Sequence, residues 1–121
     1  MNANEGEKWI RRFHHAPNHV HERVIVLPHA GGSANFYWGL FAELSASGME
    51  CMAIQYPGRQ DRFEEEMIES IEEYADLIAE VLTGLDDKPT ILFGHSMGAS
   101  IGYNLLARQE LPFVDVFMVS A

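Results

Sequence analysis

The chain has 121 residues, which is enough for one small domain and its own core. Its composition, 47% hydrophobic and 21% charged, excludes intrinsic disorder as the default state. The formal net charge of -10, from 18 acidic and 8 basic residues, argues against binding to nucleic acid or docking on anionic membranes.

The first 22 residues are polar, and we expect them to precede a domain over residues 23–121. This segment holds four of the six histidines, which are His14, His15, His19 and His21. No thiolate or helical His-Glu spacing accompanies them, so a metal site is not expected. The sequence therefore predicts a solvated segment, with no metal and no cofactor.

Nothing in the sequence suggests export. The N-terminus is polar and acidic, unlike a signal peptide. No apolar run approaches the ~18 residues that are needed to span a bilayer. The single cysteine, Cys51, excludes an intrachain disulfide, and its apolar surroundings predict a small buried residue. These features favour a cytoplasmic protein.

Four short runs are apolar at nearly every position, and they lie at 24–27, 51–54, 90–93 and 114–119. Runs of this kind suit strands that are buried on both faces of a parallel sheet, because a half-exposed strand would alternate apolar and polar residues. We therefore expect four such strands.

Helical patterns separate these runs. Ser33 is expected to cap a first helix that carries Phe36 and Leu40 among its apolar residues, and Gly48 to end it in a left-handed conformation. A second helix is expected from an apolar stripe over 67–82, with acids 64–66 at its positive N-terminal end. Eight of the 18 acids lie over 64–80, so most of the net charge belongs to one helix face.

A third helix is expected over about 97–108, where small residues would allow close approach to a sheet, and Pro112 prevents its continuation. The order is then strand, helix, strand, helix, strand, helix, strand. Such alternation predicts an α/β fold with a mostly parallel sheet and helices on both faces. Ligands bind such sheets beyond the carboxyl ends of the strands.

Residues 94–98, with the sequence Gly-His-Ser-Met-Gly, match the pattern G-x-S-x-G after an apolar strand and before a helix. This context predicts a nucleophile elbow, in which Ser96 is held exposed in a tight turn between Gly94 and Gly98. The helix N-terminus favours the negative charge that develops when Ser96 attacks. His95 is expected to be a packing residue. The competing interpretation is a tight turn with an incidental serine.

Residues 28–32, with the sequence Pro-His-Ala-Gly-Gly, follow the first strand. Glycines here leave backbone N–H groups free to face a bound oxygen, and acyl transfer needs two such donors. We expect one donor at Met97 and the other at Ala30, in a loop that also contains His29, Gly31 and Gly32. His29 is not expected to be the general base. A phosphate loop or a plain turn is the alternative, although neither glycine-rich phosphate motif matches.

Residues 56–59, Tyr-Pro-Gly-Arg, follow the second strand and predict a turn. Arg59 and Arg62 could form a local ion pair with Asp61 that pins the turn, or they could meet a phosphate on a substrate. We favour the structural role.

Together these motifs resemble type II thioesterases, the stand-alone α/β-hydrolases that accompany polyketide and non-ribosomal peptide synthases. The resemblance rests on residues 9–11, 27–33, 55–59 and 93–99, in the same order and spacing. It implies that Ser96 attacks an acyl thioester on the phosphopantetheine arm of a carrier protein. It further implies that Met97 and Ala30 hold the oxyanion, and that water then releases the acid.

The resemblance also implies a histidine base oriented by an aspartate, both after the nucleophile in chain order. No histidine follows Ser96 in these residues, and Asp115 falls within a predicted strand and not after one. We therefore expect the first half of a family member, cut off after the strand that follows the nucleophile helix. If the chain ends at Ala121, we expect Ser96 to lack its base, that strand to be an exposed apolar edge and the chain to be prone to oligomerise.

Two alternatives remain at this point. The chain could be a catalytically incomplete fragment that at most binds a carrier protein. It could also be an acyltransferase with a similar elbow, although the motifs at 28–32 and 56–59 argue against this. Carrier binding without hydrolysis would favour the binding module. Product analysis distinguishes an acyltransferase from a hydrolase, because transfer yields a new ester or thioester and hydrolysis yields a free acid.

Overall fold

The computed structural model describes residues 2–12, 22–29, 34–58, 62, 64–66, 68–85 and 87–120. The strands are β1 Ile10–Arg11, β2 Arg23–Leu27, β3 Glu50–Ile54, β4 Thr90–His95 and β5 Val114–Ser120. The helices are α1 Ala3–Glu7, α2 Trp38–Ala46, α3 Ile71–Thr83 and α4 Met97–Arg108, and a 3-10 turn over Ala34–Tyr37 leads into α2.

The strands form one sheet in the order β1-β3-β2-β4-β5. All neighbours are parallel except β1, which pairs antiparallel with β3. The four predicted strands and their parallel arrangement are therefore confirmed. The described part of the polar N-terminal segment adds α1 and β1, which the sequence analysis did not predict. The boundary at residue 23 between segment and domain stays a prediction.

The two faces of the sheet are covered by different helices. Side chains that alternate along β2 point to opposite faces, with Ile25 and Leu27 packing against α3 and α4. Val24 and Val26 instead pack against the 3-10 turn and α2, through Tyr37 and other buried residues. Because both faces are covered, the central strands are apolar at nearly every position.

The first predicted helix differs from the expectation at its start. Its expected cap, Ser33, lies outside the described residues, and the chain enters α2 through the 3-10 turn. The buried face continues from the 3-10 turn into α2 through Ala34, Tyr37 and Phe41, and it leaves Phe36 and Leu40 off that face. Phe36 and Leu40 are accordingly 68% and 44% exposed. Gly48 has the expected left-handed conformation, with φ of 93°.

The second predicted helix begins later than expected, at Ile71. Ser70 is extended and its side chain accepts a hydrogen bond from the N–H of Glu73, which caps α3 there. The placement of acids 64–66 at the helix N-terminus is therefore wrong, and Glu72 and Glu73 occupy its first turn instead. The buried stripe of α3 is otherwise as predicted, and so are the limits of α4.

The strand β5 lies at one edge of the described sheet, with β4 as its neighbour. Its side chains Val116, Met118 and Val119 are 46%, 50% and 63% exposed. This agrees with the expected apolar edge strand. No helix in the described parts of the chain is both long and apolar enough to cross a bilayer.

Candidate active site

The carboxyl ends of three neighbouring strands meet at one edge of the sheet. Val26 in β2 lies beside Ala53 in β3 and Phe93 in β4, and Leu27 lies beside Gly94. The segments that follow these strands contain the three motifs of the sequence. The topology therefore brings the motifs to one edge, which is where parallel sheets place their ligands.

Residues 94–98, which we call the elbow, make the tightest of these connections. β4 ends at His95 and α4 begins at Met97, so Ser96 alone separates strand from helix. Ser96 has φ of 55° and ψ of -113°, and it is the only non-glycine residue with positive φ in the described part of the chain. Its side chain is exposed. Such a backbone costs about 1–3 kcal/mol and is typical of functional sites.

Hydrogen bonds hold this strained turn in place. The N–H of Ser96 donates to the carbonyl of Ser120 in β5 at 2.7 Å, and the carbonyl of Ser96 accepts from the N–H of Ala99 at 2.9 Å. The backbone of Ser96 is therefore engaged on both sides, which leaves its exposed hydroxyl as the group presented to a ligand.

The two glycines of the elbow are required by close packing. A Cβ at Gly94 would lie 2.5 Å from the carbonyl oxygen of Gly98, and a Cβ at Gly98 would lie 1.9 Å from the carbonyl oxygen of Leu27. Real Cβ atoms do not approach backbone this closely. The absence of a side chain lets the start of α4 rest directly on the end of β2.

Met97 is the first residue of α4, so its N–H has no acceptor within the helix. The positive end of the helix dipole lies at the same place. An N–H in this position is a suitable donor to an oxygen that gains negative charge beside Ser96.

The ring of His95, in the elbow, and the ring of His29, after β2, form a small aromatic group. Their rings lie edge to face, 5.3 Å apart between centroids, and His29 also contacts Phe36 at 4.8 Å. The Nδ1 atom of His29 lies 3.2 Å from the hydroxyl of Tyr37. His29 and His95 are each held by neighbouring rings.

The predicted oxyanion loop is described only at its ends. Ala30, Gly31 and Gly32 lie outside the described residues, and so does Ser33. On one side of them, the hydroxyl of Tyr56 donates to the carbonyl of Pro28 at 2.8 Å. On the other side, the N–H of Ala34 donates to Oε1 of Gln55 at 2.9 Å. Both partners come from the segment after β3.

That segment, which we call the β3 turn, comprises Gln55, Tyr56, Gly58 and Arg62 among the described residues. Arg62 is only 6% exposed. It donates to both carboxylate oxygens of Glu65, at 2.7 and 2.8 Å, and to the carbonyl of Gln55 at 2.8 Å. Its guanidinium carbon also lies 4.5 Å from the centroid of the Trp9 ring.

These contacts support the structural role that was favoured for Arg62, with Glu65 as its described partner. Arg59 and Asp61, which were the other members of the expected ion pair, lie outside the described residues. Sequence reasoning missed Gln55 and Glu65 as partners of Arg62, and it missed Tyr37 as the partner of His29. For Gln55 a signal existed, because a polar residue that directly follows an apolar strand and stays buried must find a partner.

The other candidate groups of the sequence analysis are not found at this edge among the described residues. Asp115 is an exposed residue within β5, and the four N-terminal histidines His14, His15, His19 and His21 lie outside the described residues. Within the described ranges no cluster of three or more His, Cys, Asp or Glu side chains is arranged to hold a metal ion. Cys51 is buried as expected, and burial, with a smaller effect of Glu50, raises the pKa of its thiol to about 11.

Comparison with known proteins identifies the family. A family model described as a thioesterase domain matches residues 22–120. The chain belongs to the thioesterase domain family. The resemblance inferred from the four motifs is thereby confirmed, and so is the α/β-hydrolase fold that it implies.

Two curated thioesterases from Streptomyces species are similar to the chain. A probable cadicidin biosynthesis thioesterase from Streptomyces griseus is 46% identical over 85% of this chain, which covers 28% of that protein. Thioesterase PikA5 from Streptomyces venezuelae is 44% identical over 85% of this chain, which covers 36% of that protein. The chain thus spans about a third of the curated relatives.

A solved structure extends the likeness to three dimensions. The type II thioesterase BorB from the borrelidin biosynthetic cluster is 42% identical, with a TM-score of 0.84. The match covers 94% of this chain and 46% of BorB. The arrangement of strands and helices in these residues is therefore that of a type II thioesterase over a little less than half its length.

Proposed function

We propose that this chain supplies the nucleophile and the oxyanion-binding part of a serine thioesterase. The substrates are acyl thioesters on the phosphopantetheine arms of carrier proteins, in polyketide or non-ribosomal peptide synthesis. The observation that carries the proposal is the strained backbone of Ser96, at the junction of β4 and α4, within a thioesterase family domain. No other described non-glycine residue has a positive φ.

Ser96 is the proposed nucleophile. Its Oγ attacks the thioester carbonyl and gives up its proton to a base, so that a tetrahedral oxyanion forms. Collapse of that intermediate breaks the C–S bond and releases the carrier thiol, which takes up the proton, and leaves an ester on Ser96. Water then attacks this ester and releases the free acid, which restores the serine hydroxyl.

The oxyanion is proposed to be held by the backbone N–H groups of Met97 and Ala30. The position of Met97 as the first residue of α4 supports its role, because a helix N-terminus presents N–H groups without helical acceptors. For Ala30 the support is the sequence pattern of the loop and the proximity of its flanking residue Pro28 to the elbow. Losing one such donor typically costs about 3 kcal/mol of transition-state stabilisation.

The base is proposed to be a histidine oriented by an aspartate, outside these 121 residues. Within them, no histidine follows Ser96 in the sequence. His29 has its Nδ1 atom within hydrogen-bonding distance of Tyr37 and its ring packed against Phe36 and His95, so its ring is engaged in structure. The family order of serine, aspartate and histidine leaves both partners to later segments.

Carrier proteins are the proposed partners because the chain is similar to type II thioesterases, one of which, YbtT, comes from the yersiniabactin NRPS/PKS biosynthetic pathway. PikA5 is named a thioesterase, BorB comes from a biosynthetic cluster, and both are similar to this chain over most of its length. A thioesterase that serves such a synthase receives its acyl group on a phosphopantetheine thiol.

The test uses the gene product that contains these residues, at its full length. It is incubated with an acyl-N-acetylcysteamine thioester and with an acyl-loaded carrier protein, and the free acid is quantified. Ser96→Ala is expected to lower kcat by about 10⁴–10⁶-fold. Ser100→Ala is the matched control, because Ser100 is an exposed serine one turn along α4, and it is expected to leave kcat unchanged.

Three outcomes would contradict the proposal. The first is hydrolysis that survives in Ser96→Ala, and the second is formation of a new ester or thioester in place of the acid. The third is carrier binding without any hydrolysis, which would favour a binding module. Mass spectrometry of the trapped intermediate should locate the acyl group on the peptide that contains Ser96.

A further inference from the structure

The β3 turn has no chemical step assigned to it in the proposed function, yet it contains the most completely buried polar side chains near the elbow. Gln55 is 0% exposed and Tyr56 is 1% exposed. Burying polar groups costs free energy unless they find partners, so their partners indicate what the turn does. Both side chains bond to backbone groups of the connection between β2 and α2.

The two bonds bracket the predicted oxyanion loop. Tyr56 donates its hydroxyl hydrogen to the carbonyl of Pro28 at 2.8 Å, before the loop. Gln55 accepts the N–H of Ala34 at 2.9 Å, after the loop. Adjacent residues of the β3 turn thus hold described residues on either side of the segment that contains Ala30.

The carbonyl that Tyr56 holds also touches the elbow. A Cβ built on Gly98 would lie 2.9 Å from the carbonyl oxygen of Pro28, so this oxygen rests against the first turn of α4. A shift of Pro28 would therefore change the position of the β2 connection relative to Met97, whose N–H is the other proposed donor. The Tyr56–Pro28 bond links the two halves of the oxyanion site.

Gln55 is itself held from behind. Its carbonyl accepts a hydrogen bond from Arg62 at 2.8 Å, and its N–H donates to the carbonyl of Trp9 at 2.8 Å. Arg62 is in turn fixed by its two bonds to Glu65. The side chain of Gln55 therefore extends from an immobilised backbone.

The hydroxyl of Tyr56 keeps its hydrogen throughout the accessible pH range. Burial raises the pKa of Tyr56 well above its usual value, with smaller contributions from Tyr37 and Tyr74. The bond to Pro28 requires a protonated hydroxyl as donor, and the raised pKa favours that form.

We propose that Tyr56 and Gln55 are positioning residues for the oxyanion site, which act by holding Pro28 and Ala34, described residues on either side of the loop. The inference rests on the proposed function. It assigns a role in the reaction to the turn after β3, to which the proposed function gives no chemical step. The donors must lie about 3 Å from the oxyanion, so a displaced flank weakens transition-state binding more than substrate binding.

The first test is Tyr56→Phe in the full-length gene product, which removes one hydroxyl and keeps the ring. We expect kcat for an acyl-N-acetylcysteamine thioester to fall by about 10–100-fold while KM changes by less than about twofold. Tyr74→Phe is the matched control, because Tyr74 is also buried, at 4% exposed, and its ring packs 5.1 Å from that of Tyr56. It should leave kcat within about twofold of the original protein.

Equal effects of Tyr56→Phe and Tyr74→Phe on kcat would overturn the proposal, and so would a change confined to KM. Either result would mean that the hydroxyl contributes to general stability or to substrate binding alone.

The second test does not depend on turnover. Gln55→Met keeps the length of the side chain and removes the acceptor for the N–H of Ala34. We expect hydrogen exchange at Ala34, followed by NMR, to accelerate by about 10-fold or more, while exchange in β4 stays unchanged. Unchanged exchange at Ala34 would overturn the bracing by Gln55. If Ser96→Ala retained hydrolysis, the proposed function would fail, and this exchange result would still decide whether Gln55 holds the connection.

Discussion

The elbow and the β3 turn leave the same edge of the sheet, but the elbow exposes its key side chain and the β3 turn buries its polar side chains. Each has one residue with a positive φ, which is Ser96 at 55° in the elbow and Gly58 at 82° in the turn. The elbow connects strand to helix through a single residue and exposes its side chain. The β3 turn is longer, and it buries its polar side chains against neighbouring backbone.

The difference shows where conformational strain is accepted. Glycine adopts positive φ at little cost, so the β3 turn meets its geometry without strain. A serine with positive φ is strained, and the elbow keeps that strain because only a residue with a side chain can present a nucleophile. The turn is built for stability, and the elbow is built to present a group.

The largest expected effect tests the packing of the elbow. Gly98→Ala should lower the free energy of unfolding by about 4 kcal/mol, because its Cβ would lie 1.9 Å from the carbonyl oxygen of Leu27 and the backbone must shift. Gly39→Ala in α2 is the control. No atom lies within 4 Å of a Cβ there, and this change should be neutral or stabilise by up to about 1 kcal/mol. Equal urea midpoints for the two variants would refute the close approach.

The next effect tests the β3 turn. Arg62→Met should lower the free energy of unfolding by about 2 kcal/mol, because the buried carbonyl of Gln55 loses its donor while the partly exposed Glu65 regains water. Arg12→Met removes an exposed ion pair with Glu7 and should cost less than about 0.5 kcal/mol. Thermal unfolding monitored by circular dichroism distinguishes the two. A loss as small as that of Arg12→Met would mean that the turn is not held through Arg62.

A smaller effect tests the strain difference directly. Ser96→Gly should raise the free energy of unfolding by about 1 kcal/mol, because glycine relieves the strained backbone. Gly58→Ser should lower it by about 1 kcal/mol, since it places a side chain on a residue with positive φ. Chemical denaturation measures both. Changes of the same sign in the two variants would contradict the comparison.

The smallest expected effect tests whether a substitution in the β3 turn also opens β3. Cys51 lies in the interior of β3, and its pKa of about 11 leaves only about 0.1% thiolate at pH 8. Iodoacetamide at pH 8 should therefore label Cys51 only after unfolding in urea, and Arg62→Met should leave this protection intact. Rapid labelling of the folded variant would mean that β3 opens together with the turn.

Much of the framework follows from local sequence. The four predicted strands lie within two residues of their predicted limits, because continuous apolar runs have few other uses in a small domain. The start of α3 was missed, since the apolar stripe begins before the residue that actually caps the helix, Ser70. β1 was missed because two residues carry no periodicity, and pairing with β3 alone makes them a strand.

For the candidate site, the sequence by itself determined the elbow. Its glycines and serine are adjacent in the chain, and the turn from strand to helix needs them in that order. Only the tertiary structure decided the partners of Gln55, Tyr56 and Arg62. Their hydrogen bonds join segments that become neighbours through a sheet order different from the chain order, β1-β3-β2-β4-β5. The sequence predicts that a buried polar side chain is hydrogen-bonded, and only the folded sheet determines which backbone group is its partner.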